Sequence, residues 1–103
     1  MIFIESAVFT RQVRELLTDE EYAGLQWHLA VYPNAGQVIR DTSGLRKLRW
    51  AGGSRGKRGG MRVIYFHAAS LEQVRLLLIY RKGVKDDLTG AEKRVLRKLS
   101  EKW

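Results

Sequence analysis

The sequence contains no cysteine, a single proline among 103 residues, and no long apolar run. The lack of cysteine excludes disulfides, thiol nucleophiles and cysteine-ligated zinc or iron–sulfur sites. No apolar stretch approaches the roughly 18–20 residues that span a bilayer, and residues 1–5 lack the basic start of a signal peptide. We therefore expect a single domain over residues 1–103, located in the cytoplasm and with no membrane partner.

Motifs for metal-dependent or nucleophilic catalysis are also missing. His28 and His67 lie far apart in the sequence, and neither an HExxH spacing nor a GxSxG elbow is present. The adjacent Asp86 and Asp87 are interpreted as a turn before a helix rather than as a magnesium site. The glycine-rich segment 52–60 lacks the GK[ST] ending of a phosphate-binding P-loop. We predict neither a metal nor a cofactor.

The formal net charge of +8 is concentrated in one segment. Residues 1–39 carry two basic and five acidic side chains, whereas residues 40–62 carry eight basic side chains and one acidic one. Residues 63–103 carry nine basic and five acidic side chains. A basic block of this density favours a polyanionic ligand, and the usual one is a nucleic-acid backbone. The alternative is a solvated basic face without a ligand.

Hydrophobic spacing and capping motifs predict three helices. The apolar positions within residues 7–17 repeat at helical intervals. The sequence TDEE at residues 18–21 is a capping box that starts a second helix, which Pro33 ends. Another capping box, TGAE at residues 89–92, starts a C-terminal helix. The first two helices are predicted to form an N-terminal helical hairpin.

Alternating or continuous apolar runs predict the strands. Residues 1–5 are typical of a short strand, and three further strands are predicted: residues 45–51 alternate between apolar and basic side chains, whereas residues 61–69 and 74–81 are apolar runs rich in Val, Ile, Leu, Tyr and Phe. The glycine-rich segment 52–60 is predicted to be the loop that joins the strand at 45–51 to the strand at 61–69. The expected fold is a small α+β domain with an antiparallel sheet, an N-terminal helical hairpin and a C-terminal helix.

The predicted strands place basic groups at one end of the sheet. Lys47 and Arg49 share a face of one strand, Arg62 begins the next strand, and Tyr80 and Lys82 close the following one. Such a cationic surface suits metal-free RNA cleavage, in which the 2′-hydroxyl of the substrate attacks the phosphate and cations stabilise the developing charge. Neighbouring cations are expected to lower the pKa of a lysine or tyrosine there. A non-catalytic RNA-binding sheet would show the same pattern.

Several segments resemble RelE/HigB-type toxins of bacterial type II toxin–antitoxin systems: GLRKLR at 44–49, GKRGGxRVIY at 56–65, IYxK at 79–82 and DL at 87–88. The resemblance covers nearly the whole chain. It implies a RelE-like, microbial-ribonuclease-type fold and a ribosome-dependent mRNA interferase that cuts messenger RNA in the ribosomal A site. It also implies a cognate antitoxin protein, expected to carry a helix-turn-helix domain.

The resemblance also implies roles for individual residues. The catalytic positions are Lys47, Arg49, Arg62, Tyr80 and Lys82. The positions that contact messenger or ribosomal RNA are Arg46, Arg55, Lys57, Arg58 and Arg81. Leu88 stands where better-known RelE sequences have a tyrosine, so Tyr80 or Lys47 is the candidate general base. Two alternatives to the toxin remain open: a non-enzymatic RNA- or ribosome-binding module, and an inactive toxin homologue that binds an antitoxin.

Overall fold

The computed structural model describes residues 1–51, 60–85 and 87–102, so Asp86 and most of the predicted glycine-rich loop lie outside the described residues. It contains three helices, α1 (Ala7–Leu16), α2 (Asp19–Val31) and α3 (Gly90–Glu101). It contains five strands, β1 (Ile2–Glu5), β2 (Gln37–Val38), β3 (Arg46–Trp50), β4 (Met61–Ala68) and β5 (Gln73–Arg81). None of the described helices is both long and apolar enough to cross a membrane.

Each helix begins at a side chain that caps its first turn. Both predicted capping boxes are confirmed: the hydroxyls of Thr18 and Thr89 accept the amides three residues later, and the carboxylates of Glu21 and Glu92 accept the cap amides. The hydroxyl of Ser6 caps α1 by accepting the amide of Phe9, and it donates to the buried Leu77 carbonyl at 2.8 Å. This last bond ties the start of α1 to the sheet.

The strands form one five-stranded sheet in the order β1-β5-β4-β3-β2. The α+β class and the antiparallel pairing of β3, β4 and β5 are confirmed, but the sheet as a whole is mixed, because β1 pairs with β5 in parallel. The sequence carries no local signal of this direction, since the partners of residues 2–5 lie about seventy residues away. The two-residue strand β2, antiparallel to β3, is absent from the prediction because it is too short to show a period.

Each face of the sheet covers its own hydrophobic core. Helices α1 and α2 pack on one face, where Phe9, Val13, Leu25 and Leu29 are buried and the ring of Phe9 contacts Tyr22. Helix α3 packs on the opposite face, over a smaller core that consists of Leu45, Ile64, Leu77, Tyr80, Leu88 and Leu96. Among the described residues, α3 leaves one end of this face open as a cleft, beside Lys82 and Gly83.

A buried arginine holds the C-terminal end of α3 away from that open end. Arg75, on β5, is 7% exposed, and its guanidinium donates to the Ser100 carbonyl at 2.6 Å and to the Gln73 side chain at 2.8 Å. A cation at the C-terminus of a helix also complements the helix dipole. The C-terminal end of α3 is thereby attached near Thr42, Leu45 and Phe66, with which Ser100 lines a small cavity.

A buried tyrosine fixes the turn that leads from α2 into β2. The hydroxyl of Tyr65 accepts the Gly36 amide at 2.9 Å and donates to the Pro33 carbonyl at 2.8 Å. Gly36 is itself buried, and a Cβ there would lie 2.9 Å from the Tyr65 ring. Burial raises the pKa of Tyr65, so the hydroxyl keeps its proton and can serve as both donor and acceptor.

We predict that Tyr65→Phe lowers the free energy of unfolding by about 1–3 kcal/mol, because the buried Gly36 amide loses its only acceptor among the described residues. Urea denaturation followed by circular dichroism measures the change. Tyr32→Phe is the matched control, since Tyr32 is exposed. Equal stability of the two variants would contradict this role for Tyr65.

Candidate functional site

Three site residues form one row across three neighbouring strands. Arg49 on β3 is the direct register partner of Arg62 on β4, and Arg62 is the partner of Tyr80 on β5. Side chains that are directly opposite in an antiparallel pair lie on the same face of the sheet. Lys47, two residues before Arg49, shares that face, whereas the intervening Leu48 points into the α1/α2 core. The structure therefore brings these four predicted residues together on the open end of the α3 face.

The row opens into a cleft of about 340 Å³. Its lining is strongly cationic and consists of Lys47, Arg49, Arg62, Lys82, Gly83, Lys85 and Asp87. Gly83 adopts a φ of +91°, which bends the chain after β5 and returns Lys85 and Asp87 to the cleft. Lys82 is predicted from the sequence, whereas Lys85 is an addition that the structure makes. Among the described residues, five cations and one carboxylate therefore line the cleft.

Asp87 is a functional candidate that the sequence interpretation missed. The sequence interpretation placed Asp87 in a turn and gave it no chemical role. In the structure its carboxylate lies 3.6 Å from the Lys47 ammonium nitrogen, and its side chain is 88% exposed. An exposed ion pair of this kind contributes only about 0–1 kcal/mol, so a bound phosphate can replace it at little cost. The sequence signal that could have identified Asp87 is the DL pair at residues 87–88, one of the segments that resemble RelE/HigB-type toxins.

Tyr80, the register partner of Arg62, belongs to the α3 core behind the cleft rather than to the cleft lining, and it is only 5% exposed. Burial raises its pKa, the Arg62 charge lowers it, and the negative charges of Asp87 and Glu92 raise it further. The net pKa is raised, so the expectation that neighbouring cations lower it is wrong for this tyrosine. Burial outweighs the cations because an ionised phenolate here would lose hydration. Tyr80 is thus suited to donating a hydrogen bond rather than to accepting a proton.

The wall beside Tyr80 is held by an ion pair. The Lys85 ammonium contacts the Glu92 carboxylate and lies 5.8 Å from the centre of the Tyr80 ring. The hydrogen bond from Lys85 is the largest cause that lowers the pKa of Glu92. Because Glu92 also caps the first turn of α3, this contact links the cleft wall to the start of that helix.

Two predicted RNA-contacting residues that the structure describes, Arg46 and Arg81, are not brought to the cleft. Arg46 lies on the opposite face of β3, where its guanidinium donates to the Gly36 carbonyl at 2.7 Å and to the Asn34 carbonyl at 3.3 Å. Arg81 pairs with Met61, whose side chain belongs to the α1/α2 core, so Arg81 is exposed on that same opposite side. Leu88 is buried in the α3 core. The predicted contacts Arg55, Lys57 and Arg58 lie outside the described residues.

No protein-family model matches this chain. The likeness to RelE/HigB toxins therefore remains a prediction made from the sequence motifs. The observations that bear directly on function are the positions, charges and pKa shifts of the residues around the cleft.

We predict opposite pKa changes for Tyr80 in two cleft variants. Arg62→Gln raises the pKa of Tyr80, because it removes the cation that stabilises the phenolate, and Asp87→Asn lowers it, because it removes a repelling carboxylate. Titration of the ¹³C-labelled tyrosine ring by NMR measures both changes. Arg14→Gln, an exposed change on α1, serves as the control and leaves the titration unaltered. A lower Tyr80 pKa in Arg62→Gln would contradict the described geometry.

Proposed function

We propose that this protein is a toxin of the RelE/HigB type, a metal-independent endoribonuclease that cuts messenger RNA on the ribosome in the cytoplasm and so inhibits translation. The observation that carries the proposal is the row of Arg49 and Arg62 on an open sheet face, flanked by Lys47 and Lys82. Such a surface binds phosphate strongly, and its breadth suits a single RNA strand. The sequence motifs that resemble the RelE/HigB toxins give independent support.

The proposed reaction takes its nucleophile from the substrate. The 2′-oxygen forms a bond to the neighbouring phosphorus, the bond from phosphorus to the 5′-oxygen breaks, and the products are a 2′,3′-cyclic phosphate and a 5′-hydroxyl. One proton leaves the 2′-hydroxyl and another joins the departing 5′-oxygen. The protein has to align the strand and stabilise the extra negative charge on the phosphorane. Arg49 and Arg62, as cross-strand neighbours, are placed to donate to its non-bridging oxygens.

Two groups are available to accept the proton from the 2′-hydroxyl. Burial raises the pKa of Tyr80, which makes its phenol a poor base. Lys47 and Asp87 lie against each other at the cleft, and an exposed carboxylate can accept a proton without first losing one. We assign the role of general base to this Lys47–Asp87 pair. Tyr80 is assigned the role of a hydrogen-bond donor.

The raised pKa of Tyr80 also favours a second candidate function, an RNA- or ribosome-binding module without cleavage. The same cations would hold RNA, while the tyrosine would contribute only packing. An inactive toxin homologue would look alike and would keep its antitoxin partner.

In the toxin, by contrast, the antitoxin has to mask the Arg49–Arg62 row, because that row is what holds the messenger.

We predict that Arg62→Gln reduces messenger cleavage by about 100-fold or more, the usual loss when one preorganised donor to a transition-state oxyanion is removed. Induction in bacteria, with growth curves and mapping of new 5′ ends, measures the effect. Arg14→Gln removes one arginine from the opposite side of the molecule and is expected to cleave like the unmodified protein. Full cleavage by Arg62→Gln would reject the site, and RNA binding without new 5′ ends would establish the binding module instead.

We predict that Asp87→Asn separates binding from chemistry. RNA binding tightens by up to about five-fold, which is the effect of releasing a surface ion pair worth about 1 kcal/mol, whereas the single-turnover cleavage rate falls. Binding is measured with a non-cleavable 2′-O-methyl RNA and cleavage with translating ribosomes. A faster cleavage rate in Asp87→Asn would show that the carboxylate only competes with the substrate for Lys47.

A further inference from the structure

A second cleft lies on the other side of Lys47, between the β2–β3 connection and the start of α3. Its volume is about 360 Å³, which is within the size range of small-ligand sites. One part of its lining is apolar, formed by Ile39 and Leu88, whereas Val38, the register partner of Arg46, turns its side chain to the opposite face of the sheet. The other part is cationic, formed by Arg40, Lys47 and Lys93. The sequence motifs that resemble the toxins include neither Arg40 nor Lys93.

We propose that this second cleft is a nucleotide subsite that holds the RNA strand beyond the phosphate that is cut. The inference rests on the proposed RNA-binding function of the neighbouring cleft. The base or ribose of one nucleotide lies against the apolar wall, and its phosphate is held by Arg40 and Lys93. The pairing of an apolar wall with cations matches a nucleotide, which is apolar on its base faces and anionic at its phosphate.

The residues that would hold the phosphate lie on backbone segments that hydrogen bonds fix: Arg40 on the β2–β3 connection and Lys93 in the first turns of α3. Thr42 is buried; its hydroxyl donates to the Ile39 carbonyl at 2.6 Å and accepts the Leu45 amide at 3.2 Å. These bonds close the connection between β2 and β3 and place Arg40 at the rim. On the other wall, the capping box at Thr89 sets the start of α3, and Lys93 follows one turn later. A site built on such fixed elements loses little entropy when it binds.

Lys47 connects the two clefts into a single track. It lines both of them, and its partner Asp87 also lines both, so the exposed Lys47–Asp87 pair stands at their junction. A phosphate bound by Lys47 would therefore have the Arg49–Arg62 row on one side and the Arg40–Lys93 pair on the other. Gln37 is the register partner of Lys47 and lies on the same face. Its amide, both donor and acceptor, is placed to contact a base edge in the second cleft.

The test is an NMR titration of the full chain with non-cleavable 2′-O-methyl RNA of two lengths, a dinucleotide and a hexanucleotide. The hexanucleotide is expected to shift the amides near Arg40 and Lys93, whereas the dinucleotide shifts only those near Arg49 and Arg62. The double variant Arg40→Ala/Lys93→Ala is expected to weaken hexanucleotide binding about ten-fold. Its salt slope is expected to fall by about 0.7 for each phosphate that the protein no longer neutralises. Dinucleotide binding stays the same.

The matched control is Arg11→Ala/Arg14→Ala, which removes the same charge from exposed positions on α1, on the opposite side of the sheet. The subsite is overturned if both double variants weaken hexanucleotide binding equally, if the amides near Arg40 and Lys93 do not respond, or if inorganic polyphosphate is held there as tightly as RNA. Mapping of 5′ ends separates this inference from the proposed function. If RNA is cut but Arg40→Ala/Lys93→Ala leaves hexanucleotide binding unchanged, only the subsite is refuted. If the second cleft binds RNA but no new 5′ ends appear, only the nuclease is refuted.

Discussion

The site depends on a pair of like charges that the sheet forces together. Arg49 and Arg62 are direct cross-strand neighbours. Like charges in this position lower the stability of a strand pair unless nearby negative charge compensates for them. The register that imposes this pairing is held from the other face, where Leu48, Val63 and Ile79 form a buried row across the same three strands. A slip of one residue would turn the cations into that core. The hydrophobic core thus holds two arginines side by side on the opposite face, an arrangement that favours an anionic ligand.

Partial coverage of one sheet face turns this charged row into an accessible site. Helix α3 covers the part of the face near β5, where Arg75 holds its C-terminal end, and its first turn lies beside Lys85 and Tyr80. The same burial that allows α3 to pack raises the pKa of Tyr80. Packing and chemistry are therefore linked: the tyrosine keeps its proton because it is part of the core, and in the proposed reaction the Lys47–Asp87 pair would accept the proton instead.

Most of the helices and strands could be predicted from the sequence, because caps and periodicity are local signals. The direction of β1 could not, because its pairing with β5 is long-range. For the site, the alternation along β3 correctly placed Lys47 and Arg49 on one face, and the same alternation puts Arg46 on the other. The prediction that the pKa of Tyr80 is lowered is wrong. It took account of the neighbouring cations, which the sequence shows, but not of the burial of Tyr80, which depends on how α3 packs over the strand.

The central claim is that clustered cations hold a messenger strand while its own 2′-oxygen breaks the chain. The most direct measurement is single-turnover cleavage, on programmed ribosomes, of a messenger whose scissile nucleotide carries a 2′-deoxy substitution. We expect that this messenger is bound as tightly as the unmodified one and is not cut, whereas the unmodified messenger yields a 2′,3′-cyclic phosphate. Cleavage of the 2′-deoxy messenger at the same position would contradict the claim, because the nucleophile would then come from elsewhere.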